Sequence, residues 1–316
     1  MNETKKQHIL VTASGGPAGV NALKLLKMHP ELRLFATDIN PDSLGKTIAD
    51  EFRVMAPFSD FPKYREGLRR LVTEWKIDVV IPTLADELHE VAEALAGLPV
   101  RILVSPKQTA LLCSDKRLLY GWMEEHLPEY LARWQTLAQP IGWDAPEYFV
   151  KPGIGRGARG CQLVSKDELQ EFVEDLEHPE EWVVMDVLPG KEWTVDAYVS
   201  GEGVPVFIVP RERLEVVSGI SRRGKTERNK EVIAQTYAIL SNLKFIGPVC
   251  VQWKEDGKGG IKLVEINARL SGGLMITVAS GADPMKVFVD ELLDRPLIEP
   301  DWQEGEFTGF TDFTRA

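Results

Sequence analysis

The stretch Lys262–Leu270, KLVEINARL, carries the residues best suited to chemistry. Side chains two apart in a strand share a face. Glu265, Asn267 and Arg269 therefore point one way, while Val264, Ile266 and Ala268 pack the other. Two oxygen ligands beside a cation suit a Mg2+–triphosphate bracket, with hard oxygens holding the ion and the guanidinium facing phosphoryl charge. A hairpin closed at Asp256-Gly257 brings Gln252 of VCVQWK alongside as a third oxygen. Read alone, Glu-x-Asn is an exposed polar strand face. A phosphate-covering element nearby would make it a site.

Three glycine loops compete for that part. GISRRGKT (219–226) matches G-x-x-x-x-G-K-[ST] letter for letter. A working phosphate loop follows a central parallel strand and opens an apolar helix. LEVVS could be the strand, but ERNKEV after Thr226 is polar. The plainer reading is a basic loop, with Arg222, Arg223 and Lys225 solvated or touching an anionic substrate. SGGPAG (14–19) lies where a dinucleotide fold keeps its fingerprint, with Asp38 about where a ribose-binding acid belongs. The G-x-G-x-x-G register falls on Ala13, Gly15 and Ala18, so a tight turn or an anion-binding helix N-terminus is the better reading. GIGRGARG (153–160) has the true pattern at Gly155, Gly157 and Gly160. It lies between two strands, because the capping box Ser165…Glu168 delays the next helix. That context suits a hairpin lid over phosphates, preceded by Lys151. A merely structural hairpin with so many glycines would lose entropy on ordering. H-R-D and D-F-G are missing from the sequence, which excludes a protein kinase.

The elements that must position these residues fall into two regions. Strand signals at 8–13, 32–38, 52–57, 78–83 and 100–105 alternate with helix signals at 19–28, 64–75 and 86–97. Short apolar strands spaced by amphipathic helices predict a doubly wound parallel sheet. Residues 107–150 read as mostly helical. From Tyr148 onward strands dominate, at 181–190, 192–201, 204–210 and in the 248–270 hairpin, with a helix near 227–242. The fold class is an α/β sheet domain followed by an α+β region.

In this order and spacing the motifs resemble an ATP-grasp ligase, of the group around the carbamoyl-phosphate synthase large subunit and the PylC-type amino-acid ligases. The resemblance covers nearly the whole chain and implies three parts: a preATP-grasp Rossmann-like domain over 1–106, a small ATP-grasp subdomain with the lid over 107–187, and a C-terminal subdomain with the Mg2+ site over 188–316. It implies that Lys116 in SDKRLLYGWM and Lys151 in FVKPGIGRGARGCQLV neutralise nucleotide phosphates beneath Gly155, Gly157 and Gly160. VMDVLPGKEWTVDAYV resembles the adenine-and-ribose segment, with Asp186 and Leu188 at the adenine and Glu192 at the ribose. VVMDV departs from the Gln-Glu-aromatic sequence frequent in the family. Gln252, Glu265 and Asn267 become the metal ligands, and Arg269 the stabiliser of transferring charge. The family also places a loop near the second substrate where RERLEVVSGISRRGKT falls, which makes the match to a phosphate loop a coincidence.

The implied cofactors are ATP and two Mg2+ ions. The implied reaction is phosphorylation of a carboxylate, then displacement of phosphate by an amine. Arg211, Arg213 and Arg222 are candidates for holding a substrate carboxylate. Gly15, Gly16 and the pair Asp86-Glu87 lie at strand C-termini, where doubly wound sheets bind ligands and where an ammonium could be read. Asp86 reads equally well as a helix N-cap. The chain has one ATP-grasp unit and no visible Cys/His glutaminase, which argues against complete carbamoyl-phosphate synthesis. A non-catalytic nucleotide sensor and a carbamoyl-phosphate-type phosphorylation stand as the alternatives.

Composition narrows the partners. A formal charge of −11, from 37 basic and 48 acidic residues, argues against a general nucleic-acid binder. Cys113, Cys161 and Cys250 are widely spaced and fit a reduced, cytoplasmic setting. The N-terminal apolar stretch is too short for a secretory signal, and no run approaches the ~18 residues of a membrane span. The expected protein is soluble; the resemblance implies a small-molecule carboxylate and amine as substrates, and it leaves the oligomeric state open, a homodimer being common in the family.

Overall fold

The computed structural model describes residues 6–155, 157 and 159–308. Arg156 and Ala158 of the 153–160 loop lie outside the described residues, as do both chain ends.

The first sheet is parallel throughout, with β1 (Gln7–Val11), β2 (Leu32–Asp38), β3 (Glu51–Val54), β4 (Val79–Ile81) and β5 (Arg101–Ile102) in the order β3-β2-β1-β4-β5. Its central strands β1, β2 and β4 are largely apolar and buried because both faces are covered, whereas the edge strands β3 and β5 are more exposed. Ile9, Val11, Leu34 and Ala36 share a core with Ala22, Leu23 and Leu26 of α1 (Pro17–Leu26). A short α2 (Gly45–Ile48) follows β2. Leu10, Phe35 and Val80 pack on the other face with α3 (Phe61–Glu74) and α4 (Leu88–Ala94). The doubly wound sheet expected from the sequence is present.

The acidic residues at its C-terminal edge have structural partners. Asp38 accepts from Gly15 N at 2.7 Å and Asn40 N at 2.9 Å, so it closes the first turn instead of waiting for a ribose. Glu87 is 1 % exposed and accepts from the Thr12 and Tyr64 hydroxyls and from the amides of Thr83 and Leu84. Burial raises its pKa. The expectation that Glu87 reads a ligand ammonium is corrected here: its oxygens are consumed by four protein donors. Asp86 lies inside a 3-10 turn, Ala85–Glu87, and is not an N-cap.

Next come α5 (Lys107–Ser114) and α6 (Lys116–His126). Helix gives way to strand earlier than the sequence suggests, at β6 (Trp134–Thr136). With β7 (Glu147–Pro152), β8 (Gln162–Ser165) and β9 (Trp182–Met185) it forms an antiparallel sheet ordered β6-β9-β7-β8. The β7–β8 hairpin carries the 153–160 loop. Ser165 Oγ and Glu168 Oε2 lie 2.6 Å apart, and α7 (Leu169–Glu174) begins only afterwards, as the capping box predicts.

The third sheet holds β10 (Glu192–Val199), β11 (Pro205–Val217), β12 (Ile220–Thr226), β13 (Gly247–Glu255), β14 (Ile261–Asn267) and β15 (Gly305–Thr308) in the order β14-β13-β10-β11-β12-β15. Alternation divides it cleanly. Trp193, Val195, Ala197, Val249, Val251 and Trp253 belong to the core shared with α8 (Lys230–Asn242). The other face is polar at one end, where Thr194 sits opposite Gln252 and Arg211, Asp196 opposite Cys250 and Gln252 opposite Glu265, and apolar at the other, where Tyr198, Phe207 and Val209 join the core of α1. Helices α9 (Met275–Ser280) and α10 (Pro284–Leu292) follow β14.

GISRRGKT forms the turn and strand of the β11–β12 hairpin. Ser218 and Gly219 both have positive φ, 51° and 78°, as a two-residue turn of inverted hand requires. The segment is thus a paired strand, where the sequence suggested a basic loop. Lys225 Nζ pairs with Glu227 at 3.6 Å, and Thr226 Oγ1 donates to the Gln303 carbonyl at 2.8 Å. The match to a phosphate loop is indeed accidental.

Glu87 should be a structural keystone. Glu87→Ala strands four buried donors and is expected to cost about 3 kcal/mol of stability, read as a lowered urea midpoint. An unchanged midpoint would show that water replaces the carboxylate.

Candidate functional site

Two adjoining cavities open onto the polar face of the third sheet. The larger, about 640 Å³, lies between the β7–β8 hairpin, the Met185–Pro189 segment and the sheet. Lys116, Lys151, Asp186, Leu188 and Glu192 line it, as do Gly155 and Gly157. Gly160 does not. It shapes the loop instead, at φ 76°, where a β carbon would lie 3.0 Å from Pro152 Cγ. The smaller cavity, about 360 Å³, takes in Gly16, Arg211, Arg213, Asn267 and Arg269. Gln252 and Glu265 line both. Gly15, Asp86, Glu87 and Arg222 line neither, and Arg222 is exposed.

The centre of the site depends on an irregularity in β14. Opposite Gln252–Trp253 the register slips, with Gln252 facing Glu265 and Trp253 facing Leu263, so Val264 is a bulge residue. Val264 packs against the core as alternation expects and also lines the larger cavity, while Ile266 and Ala268 are buried. The carbonyl of Val264 accepts from the Tyr120 hydroxyl at 2.5 Å and from Lys151 Nζ at 3.2 Å. Nζ also lies 2.6 Å from the Tyr120 oxygen.

Lys151 is 2 % exposed. Burial pulls its pKa from the ordinary 10.5 down to about 8, and the Glu265 carboxylate partly offsets that loss. Below about 8 the buried ammonium costs stability in full. The cost is relieved as pH climbs from about 8 towards the unfolded value, because the unfolded chain then holds the extra proton.

Lys116 begins α6 directly after the N-cap Asp115, whose carboxylate accepts from Arg117 N at 2.9 Å. Its backbone N–H donates to the Gly153 carbonyl at 2.9 Å, which ties the helix start to the glycine loop. Its Nζ lies 3.8 Å from Glu265 Oε2. Asn267 Nδ2 donates to Glu265 Oε1 at 3.0 Å, and Arg269 Nη2 to Asn267 Oδ1 at 3.0 Å. Glu265, Asn267 and Arg269 therefore do share one face.

The donor chemistry of Gln252, Glu265 and Asn267 is hard oxygen and fits Mg2+. Among the described residues no group of three His, Cys, Asp or Glu could hold a metal. One carboxylate and two amides would need further oxygens from an anionic ligand, as a nucleotide supplies.

Other expected contacts are tied up by the protein. Arg133 grips Asp186 through two hydrogen bonds of 2.9 and 3.0 Å. Arg213 reaches Glu192 at 3.3 Å, Thr194 Oγ1 at 3.3 Å and the Gly219 carbonyl at 3.0 Å, so it offers no free fork to a carboxylate. Sequence reasoning missed Tyr120, Arg133 and the Val264 bulge. Only Tyr120 left a trace, four residues after Lys116 and so on the same helix face.

Residues 178–308 match the model of a family described as ATP-grasp in the biosynthetic pathway with Ter operon. The fold is similar to N5-carboxyaminoimidazole synthetase from Staphylococcus aureus complexed with ADP, at 17% identity and TM-score 0.77, covering 96% of this chain and 82% of that one. It is similar to biotin carboxylase from Campylobacter jejuni, at 14% identity and TM-score 0.74, covering 97% and 75%. An L-amino acid ligase from Bacillus licheniformis matches at 16% identity and TM-score 0.71, covering 94% and 75%. No curated protein sequence matches the chain. The fold is the ATP-grasp fold.

The lowered pKa of Lys151 can be read directly. With 13C-labelled lysine, one Cε resonance absent from Lys151→Arg should titrate near pH 8, and inorganic tripolyphosphate should move that midpoint upward. A midpoint near 10.5 would contradict the burial argument.

Proposed function

We propose that the protein is an ATP-dependent carboxylate–amine ligase of amino-acid or dipeptide type, working through an acyl phosphate. One observation carries the reading: Gln252 and Glu265 stand in the wall common to a nucleotide-sized cavity and a smaller one. A γ-phosphate over that wall meets a carboxylate arriving from the other side. The ADP and MgADP complexes of structural neighbours support nucleotide in the larger cavity.

The roles follow from position. The adenine lies against Asp186–Leu188 and the ribose near Glu192, while Lys116 and Lys151 neutralise the phosphates beneath the glycine loop. Gln252, Glu265 and Asn267 would hold Mg2+, which when bound neutralises triphosphate charge. The substrate carboxylate attacks the γ-phosphorus as the bond to ADP breaks. The amine then attacks the acyl carbon, phosphate leaves, and the amine gives up a proton. Arg269 stabilises charge through both transfers. Carboxylate and amine form a salt in water, and a covered cleft keeps water from the activated acyl group. We divide the chain as the resemblance implies, at about 106 and 187. Free thiols at Cys113, Cys161 and Cys250 support a reducing cytoplasm. No helix of the described residues is long and apolar enough to cross a membrane.

ADP release from MgATP against a matrix of amino-acid pairs is the test. One pair should stimulate turnover, Glu265→Gln should lower it at least ~100-fold, and Lys225→Ala should leave it nearly intact. Nucleotide binding that persists with no pair active would favour a sensor. Loss of binding in Lys225→Ala alone would sink the assignment.

A further inference from the structure

The smaller cavity holds more positive charge than one reacting carboxylate needs. Its wall carries Arg159, Arg211, Arg213 and Arg269 against the single carboxylate of Glu265. Arg213 donates through Nη1 and Nη2 to Thr194 Oγ1 and the Gly219 carbonyl, while its Nε lies 3.3 Å from Glu192 without a hydrogen bond; Arg269 stands beside Asn267. Arg211 differs. It is 1 % exposed, with Nε on Asp196 at 2.8 Å and Nη2 on Ser271 Oγ at 2.9 Å. Its Nη1 has no hydrogen-bond partner among the described residues, and neither does the buried Oγ of Ser221. A β carbon on Gly273 would fall 3.0 Å from Nη1, so this glycine leaves space beside the guanidinium.

The start of α1 faces the same cavity. Gly16, Pro17 and Ala18 line it, the N-cap Gly16 has no capping side chain, and the first turn holds no acid. Asn21 Nδ2 donates to the Gly272 carbonyl at 3.2 Å and holds the helix against the Ser271–Gly273 wall. The orphan amides of the first turn and the positive end of the helix dipole therefore add to Arg211. Each alone would be ordinary. Together they surround one space.

We propose that this subsite takes a second anionic group of the substrate, distinct from the carboxylate that reacts beside Arg269. Within the carboxylate–amine reading, the substrate class is then an acidic amino acid, another dicarboxylate or a phosphorylated carboxylate, and not an amino acid whose only anionic group is the reacting carboxylate. The inference rests on the reading of the larger cavity as the nucleotide site. Asp86, Glu87 and Asp196 do not line the cavity; Asp196 gives its Oδ2 to Arg211 and Thr277 and leaves Oδ1 unpartnered, so Glu265 is the one carboxylate among the lining residues.

The test is calorimetric titration of the full chain, saturated with MgADP, with succinate, O-phosphoserine, acetate and alanine at constant ionic strength. Succinate or O-phosphoserine should bind at least tenfold more tightly than acetate and alanine, and the tighter of the two identifies the second group as carboxylate or phosphate. Gly16→Asp gives α1 its own capping carboxylate, which favours the fold while occupying the anion's place. It should weaken dianion binding tenfold or more with the melting temperature held or raised. Ser221→Ala should weaken it severalfold. Equal affinities for the four compounds, or a dianion affinity untouched by Gly16→Asp, would overturn the proposal. Failure of MgADP to bind counts against the nucleotide site alone; the same titrations without nucleotide then decide the anion subsite.

Discussion

The carbonyl of Val264 is the pivot of the molecule's chemistry. It lies at a bulge in β14, the edge strand of its sheet, and accepts from the Tyr120 hydroxyl and the Lys151 ammonium. One backbone irregularity thereby joins β14, the helix that carries Tyr120 and the hairpin that carries Lys151. A buried lysine needs such acceptors, because an ammonium removed from water without them would give up its proton or its place. Glu265, one residue beyond the bulge, faces Lys116 and contributes to the charge balance around Lys151.

The same logic governs the rest of the polar sheet face. Arg211 and Asp196 are both buried and pair through Nε, and Arg213 sits against Glu192. Removing one partner of such a pair leaves a lone buried charge, which costs more than the pair contributes. The hydrophobic work is done on the opposite face, where Trp193, Trp253 and α8 share a core. A strongly polar floor is tolerable because the sheet has a dense apolar underside.

Much of this was legible in the letters. Period-two alternation put Glu265, Asn267 and Arg269 together, and the apolar runs at 8–13 and 32–38 announced a parallel sheet. The capping box at Ser165 placed the glycine loop between strands, because it postponed the helix. What escaped had physical reasons. A bulge shifts register without changing composition, so the one at Val264 had no signature. Asp86 and Glu87 looked like a ligand-reading pair because side-chain type says nothing of who already occupies the oxygens; Thr12 and Tyr64 lie 75 and 23 residues away from Glu87. GISRRGKT misled in the other direction, since a matching string of residues carries no information about the strand pairing that flattens it.

The wall shared by the two cavities has a thermodynamic consequence. Gln252 and Glu265 serve both spaces, so a ligand that reorders Glu265 in one changes what the other presents. Such coupling is reciprocal. Whatever factor the occupant of the larger cavity applies to affinity in the smaller one must be returned unchanged. Neither ligand's dissociation constant is then a property of its own cavity; each belongs to the pair, and takes its meaning from the occupancy of the other side.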